Sequence, residues 1–100
     1  MMKDMDLFKV SDDEALERVK RDGMELRLIE HQTPEICMAA VKQDGYALRF
    51  VKEQTRELCL AAIQKDGWSL QYVKEQSPEI CLAAIKQNPE AKRFVRIALD

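Results

Sequence analysis

The sequence predicts an all-α protein, a short α-solenoid of four tandem two-helix repeats, and three observations predict it. The first is internal repetition: TPEICMAAVKQD returns as TRELCLAAIQKD and then as SPEICLAAIKQN, each copy displaced by 22 residues. The second is the way each copy begins. Thr33, Thr55 and Ser77 are favourable N-caps, Pro34 and Pro78 occupy a first helical position that needs no N–H, and Glu35, Glu57 and Glu79 follow in the first turn. The third is the way the copies end, on Gly23, Gly45 and Gly67, each preceded by aspartate and each expected to turn the chain in the left-handed conformation.

Residues 33–54 and 55–76 share the opening threonine, the glutamate, the cysteine, the alanine pair, Asp-Gly, a leucine and the closing Val-Lys-Glu-Gln. The register extends to residues 11–32 and 77–98. It leaves 1–10 as a lead-in and the whole chain, 1–100, as one helical-repeat domain.

Taken in order, the first repeat is the unusual one. Ser11 and Glu14 have the spacing of a capping box. Glu14, Ala15, Glu17 and Arg18 stand where the second repeat has Ile36, Cys37, Ala39 and Ala40, so one side of this helix is polar, as a terminal capping repeat requires. In the second repeat, ICMAAV is too apolar for a single stripe and predicts a helix covered on most sides. A buried strand is the rival reading of so short a run, but the alanine pair, the Pro-Glu start and the absence of alternation favour helix. The segment after each glycine, YALRFVKEQ in the second repeat, places Leu48 and Val51 on one side with Arg49, Lys52 and Glu53 elsewhere. It has room for about two turns and is short enough to run partly as 3₁₀. In the last repeat Asn88-Pro89 replaces Asp-Gly, and the final helix is expected to run on toward the terminus, so that both ends look finished.

Composition narrows the function classes. One hundred residues, 46% of them hydrophobic, suffice for one modest core. Sixteen basic residues against 18 acidic ones give no strong attraction to nucleic acid or to a membrane surface. MMKDMDLFKV has no apolar signal core, and no stretch approaches the roughly 20 apolar residues of a membrane span. A soluble, cytoplasmic protein is expected.

The second repeat, TPEICMAAVKQDGYALRFVKEQ, resembles the bacterial and phage repeat family known as domain of unknown function forty-one-sixteen, most specifically in its A-A-hydrophobic-K-Q-D-G core and L-x-F-V-K-E-Q tail. The resemblance spans residues 11 to about 98, with departures at Arg56, at Asn88-Pro89 and in the polar first repeat. It implies helical repeats and brings no established activity. The alternation of longer and shorter helices is also similar, at the level of architecture, to leucine-rich variant repeats.

The residues that could carry chemistry point away from catalysis. Cys37, Cys59 and Cys81 recur once per repeat. Neighbouring packed helices lie roughly 8 to 10 Å apart, whereas a disulfide needs Cα atoms within about 7 Å. Zinc needs about four ligands, and His31 is the only histidine. The cysteines therefore read as small core residues. His31, in the column of Glu53 and Glu75, reads as a surface residue on the polar side of the short helix. Gln32, Gln54 and Gln76 form a column placed to bond from one repeat to the next or to the following cap. No phosphate loop, nucleophile elbow or metal motif occurs, so no catalytic, cofactor-binding or metal residue is assigned and no cofactor is expected.

Leu28, Phe50, Tyr72 and Phe94 occupy one repeat position, expected to line the edge of the core. Met24, Tyr46, Trp68 and Glu90 occupy another, just after the turn, and vary while the scaffold beside them stays fixed. That column either covers the groove between repeats or anchors a partner, since Trp and Tyr favour interfaces. Lys20, Lys42 and Lys86, with Arg27, Arg49 and Arg93, form basic columns that Gln64 and Gln71 interrupt and that columns of glutamate offset. Residues 11–32 hold seven acidic and four basic groups, a net of −3, whereas 77–100 hold three and four, a net of +1.

The expected function is that of a non-enzymatic protein-binding module presenting a rigid surface to another protein through Met24, Tyr46, Trp68, Lys42 and Arg49. A small phage or mobile-element inhibitor of a host complex is its more specific form. A structural repeat protein that self-associates into a homo-oligomer is the contrasting expectation. Nucleic-acid binding is less favoured by the charge balance.

Overall fold

A computed structural model describes residues 10–99, so the lead-in at 1–10 lies, Val10 apart, outside the described residues. The chain alternates α-helices with 3₁₀ helices. In order these are α1 (Asp12–Arg21), η1 (Gly23–Leu28), α2 (Pro34–Gln43), η2 (Gly45–Phe50), α3 (Arg56–Lys65), η3 (Gly67–Tyr72), α4 (Pro78–Gln87) and η4 (Pro89–Phe94). The described residues contain no strand. Each short element is 3₁₀ throughout, not in part.

Every α-helix starts as the sequence requires. The hydroxyls of Ser11, Thr33, Thr55 and Ser77 accept from the backbone N–H of Glu14, Ile36, Leu58 and Ile80 at 3.1 to 3.2 Å. Each ends on Asp22, Asp44, Asp66 or Asn88, held extended with φ between −150° and −160°. That one residue serves both helices it joins. Its N–H donates back to the carbonyl of Arg18, Ala40, Ala62 or Ala84. Its side chain accepts from the N–H of Met24, Tyr46, Trp68 or Glu90 at 2.9 to 3.0 Å, which caps the 3₁₀ helix.

The glycines do not turn the chain in the left-handed conformation: no described residue has a positive φ. Their requirement is space. A Cβ on Gly45 would lie 2.5 Å from the carbonyl oxygen of Ala62, and one on Gly67 would lie 2.9 Å from that of Ala84. Each glycine is thus pressed against the C-terminal turn of the next repeat's α-helix. Gly23 and Gly67 also donate their N–H to Gln43 Oε1 and Gln87 Oε1 at 2.6 and 2.7 Å. At the middle joint Lys65 takes the glutamine's place, and Ser69 stands where η2 and η4 have Ala47 and Ala91. The Ser69 hydroxyl is buried there without a hydrogen-bond partner, beside Gly45.

The last α-helix does not run on. It stops at Gln87 like the others, and Pro89 takes the first position of η4. Proline fits because its φ suits a helical start and because Pro89, exposed, packs against no further helix among the described residues.

The α-helices form one layer and the 3₁₀ helices the other, each α-helix packing on its neighbours and on the short helices of its own and the preceding repeat. A continuous core runs between the layers. In the second repeat Ile36, Ala40, Val41, Leu48 and Val51 are all buried, and Ala62 and Ala84 repeat the small contact that lets successive α-helices approach. The end repeats are less covered: α1 buries only Ala15 and Val19, and Leu82 in α4 is 55% exposed where Met38 and Leu60 are half-buried. Among the described residues no helix is long and apolar enough to cross a membrane.

Candidate functional site

Two sides of the solenoid differ in chemistry. On one, where each 3₁₀ helix leads into the next α-helix, Gln32, Gln54 and Gln76 form a ladder. Gln32 Nε2 donates to the Phe50 carbonyl at 2.8 Å, while its Oε1 accepts from the Lys52 N–H at 3.0 Å. Gln54 repeats this on Tyr72 and Lys74, and Gln76 on Phe94 and Arg96. Backbone groups that have left the 3₁₀ helix are thereby paired across the joint.

The cysteines belong to the same ladder. Cys37, Cys59 and Cys81 are buried and free, and each thiol donates to the Oε1 of the glutamine five residues before it, at 3.5, 3.7 and 3.4 Å. Burial raises all three thiol pKa values, that of Cys59 to about 11, so they are protonated at neutral pH and poor nucleophiles. Sequence reasoning placed them in the core and missed the bond. The signal was present, since Gln and Cys recur five apart with one period. Among the described residues no three His, Cys, Asp or Glu side chains cluster where a metal could be held.

Grooves run between repeats on this side. One of about 600 Å³ is lined by Gln54, Arg56, Cys59, Lys74 and Glu79 among others. Arg56 stands where α2 and α4 begin with proline, and its guanidinium reaches across to Glu79 with two hydrogen bonds of 2.7 and 2.5 Å. That contact lowers the Glu79 carboxyl below its usual range. His31 lies in the bend after η1 rather than on the short helix, 3.0 Å from Asp12 with both side chains well exposed.

The other side carries the variable columns, and there the aromatic residues meet. Tyr46 packs edge-to-face on Tyr72 of the next repeat, ring centroids 5.6 Å apart, and Trp68 packs likewise on Phe94 at 5.3 Å. The residue after one turn thus pairs with the last residue of the following 3₁₀ helix. Met24, Tyr46 and Trp68 are all half-buried, so this column both covers the inter-repeat groove and remains open to solvent. Leu28 does not line the core edge. It is 49% exposed, whereas Phe50, Tyr72 and Phe94 are half-buried.

Arginine joins these rings. The Arg49 guanidinium lies 5.1 Å from the Phe50 ring centre and 5.3 Å from that of Tyr72, and Arg93 lies 5.7 Å from Trp68. Burial and the neighbouring Asp66 carboxylate raise the Tyr46 phenol pKa. The structure therefore brings Tyr46, Trp68 and Arg49 into one assembly with Tyr72, Phe94 and Arg93. Lys42 stays outside it: exposed near the end of α2, its side chain makes no hydrogen bond or ion pair among the described residues. The arginine stacking was hidden in the sequence because its partners are 23 and 25 residues apart.

No curated protein and no solved structure matches the chain. Residues 55–96, the third repeat and most of the fourth, match the model of a protein family described as "Domain of unknown function (DUF4116)", the family that the repeat sequence resembles.

Proposed function

We propose that the chain is a non-enzymatic protein-binding module, working in the cytoplasm, whose binding surface is the aromatic and arginine face of the 3₁₀ helices. The observation that carries this reading is the contrast within each repeat. The glutamine ladder keeps its residue and its bonds, while the post-turn position changes from Met24 to Tyr46 to Trp68 to Glu90 on the same backbone. A position under packing constraint alone has little reason to vary so widely in size. Tyr, Trp and Arg are also the side chains most enriched among the residues that dominate an interface.

The test measures stability and binding on the same variants. Tyr46→Ala and Trp68→Ala each remove a half-buried ring and are expected to lower stability by about 1 to 3 kcal/mol, less than a fully buried aromatic would cost. Capture of the native partner from the source cell by the folded variants should weaken by about 2 kcal/mol or more. Undiminished capture by both would eliminate this face.

A second reading, self-association, is favoured by one observation. Leu82 is 55% exposed on the last repeat, which carries net positive charge, while the first repeat is acidic. Sedimentation across a concentration range distinguishes it, because a head-to-tail assembly grows with concentration and dissociates in salt.

A further inference from the structure

This inference rests on the protein-binding reading and names the partner's chemistry. We infer that the aromatic face receives an acidic, extended peptide segment, two of whose carboxylates pair with Arg49 and Arg93 on either side of η3.

Both arginines lean toward the same short helix. Arg49 comes from the second repeat and stacks on Tyr72, whereas Arg93 comes from the fourth and stacks on Trp68. Tyr72 and Trp68 are both residues of η3. The arginine column itself is interrupted there by Gln71, whose amide is turned back onto the Trp68 carbonyl at 3.1 Å. Two positive groups thus converge on a repeat that has none of its own at that position.

Stacking holds a guanidinium by its flat face and leaves its edge N–H donors for a planar anion. Among the described residues those donors make no hydrogen bond and no ion pair. Among the described residues the ion pairs are Asp12 with His31 and Arg56 with Glu57 and Glu79, none of them on this face. Asp44 and Asp66, charged neighbours of Tyr46, accept the N–H groups of Tyr46 and Trp68 and pair with neither arginine. Glu90, in the same helix as Arg93, forms no ion pair with it. η2 and η3 have no acidic residue in their first turns. Contrast Arg56, which is already neutralised by Glu79.

The spacing sets the ligand. Two repeat rises amount to roughly 16 to 20 Å from the usual separation of packed helices, and the inward lean of both side chains shortens that distance. Carboxylates about three to five residues apart in an extended chain, at roughly 3.3 Å per residue, span about 10 to 16 Å. Single-stranded nucleic acid fits the face less well. The Tyr72 phenol and Trp68 indole rings that would stack on bases already carry a guanidinium and an edge-to-face neighbour, and two arginines interrupted by Gln71 make a poor track for a phosphate backbone.

The experiment titrates the full chain with synthetic Gly-Ser peptides carrying two glutamates one to eight residues apart, following the arginine Nε–H resonances by NMR. Expected are joint shifts of Arg49 and Arg93 and an affinity maximum at three to five residues, about fivefold or more above the shortest spacing, because both sites then engage one ligand. Arg49→Gln and Arg93→Gln, at exposed positions, should each remove that maximum without unfolding the chain. Shifts elsewhere, no dependence on spacing, or tighter binding of oligothymidine to the same residues would overturn the inference. The two readings fail separately: if a captured partner is lost with Trp68→Ala but held by Arg93→Gln at every salt concentration, the module stands and its acidic ligand does not, whereas undiminished capture by Trp68→Ala and Tyr46→Ala removes the module reading itself.

Discussion

The glutamine side and the aromatic side of this solenoid are built on the same backbone period and use it oppositely. Gln32, Gln54 and Gln76 keep the same two bonds across each joint, and Cys37, Cys59 and Cys81 each back them with a thiol contact. Across the molecule the rings and arginines change identity and borrow partners from neighbouring repeats. A side that satisfies buried backbone groups has one good chemical answer, whereas a half-exposed side has many. The first is expected to fail as a scaffold when altered, and the second as a surface.

The sharpest break in that division should come at the glycines, which serve the scaffold. Gly45→Asn is expected to cost about 3 kcal/mol in a urea melt, because any Cβ there must displace the Ala62 carbonyl. Asparagine tolerates a left-handed turn, so a nearly silent Gly45→Asn would restore the conformational explanation. Next is the ladder. Gln54→Ala leaves the Tyr72 carbonyl and the Lys74 N–H without their partner and should cost about 2 kcal/mol, without changing the affinity of the folded fraction for a partner. An affinity loss there would blur the two sides. Cys59→Ala removes one buried sulfur and should cost about 1 kcal/mol, with added zinc leaving the melting temperature unchanged.

The smallest effect concerns pH. The Glu79 carboxyl is lowered by its bond to Arg56, so the unfolded chain binds this proton more readily than the folded one. The contribution is present above the ordinary carboxylate value of 4.5 and is lost as pH falls through the lowered folded value. Glu79→Gln should lower stability slightly at neutral pH, leave it unchanged at the acid extreme and so flatten the acid limb of the stability profile, and an acid limb as steep as before would contradict the assignment.

The period, the N-caps and the α-helices were legible because each rests on neighbours in sequence: a hydroxyl three residues before the N–H it caps, or an alanine pair inside an apolar run. The glycines were located correctly for the wrong reason. What selects them is a carbonyl in the next repeat, and local sequence carries no sign of that approach. Asn88-Pro89 misled similarly, since Asn88 keeps the extended, side-chain-capped geometry of the aspartates and stops α4 where α1 to α3 stop. At the candidate site the columns were visible but their assembly was not. Arg49 lies beside Phe50 in sequence, yet its contact with Tyr72 depends on which way a long side chain leans across a joint.

Those glycine contacts also give the stack a polarity comparable to that of a growing polymer. Each of the first three repeats offers a socket, a backbone with no side chain, into which the C-terminal turn of the following α-helix plugs. The fourth presents Pro89 in that place, and its ring fills the socket. A copy of residues 55–76 inserted before residue 77 would propagate the array, because both new joints would pair a glycine with a helix end. A repeat stacked instead on the fourth would meet a ring where the others meet a hydrogen, and would find no N–H of the kind that Gly23 and Gly67 donate to their glutamines.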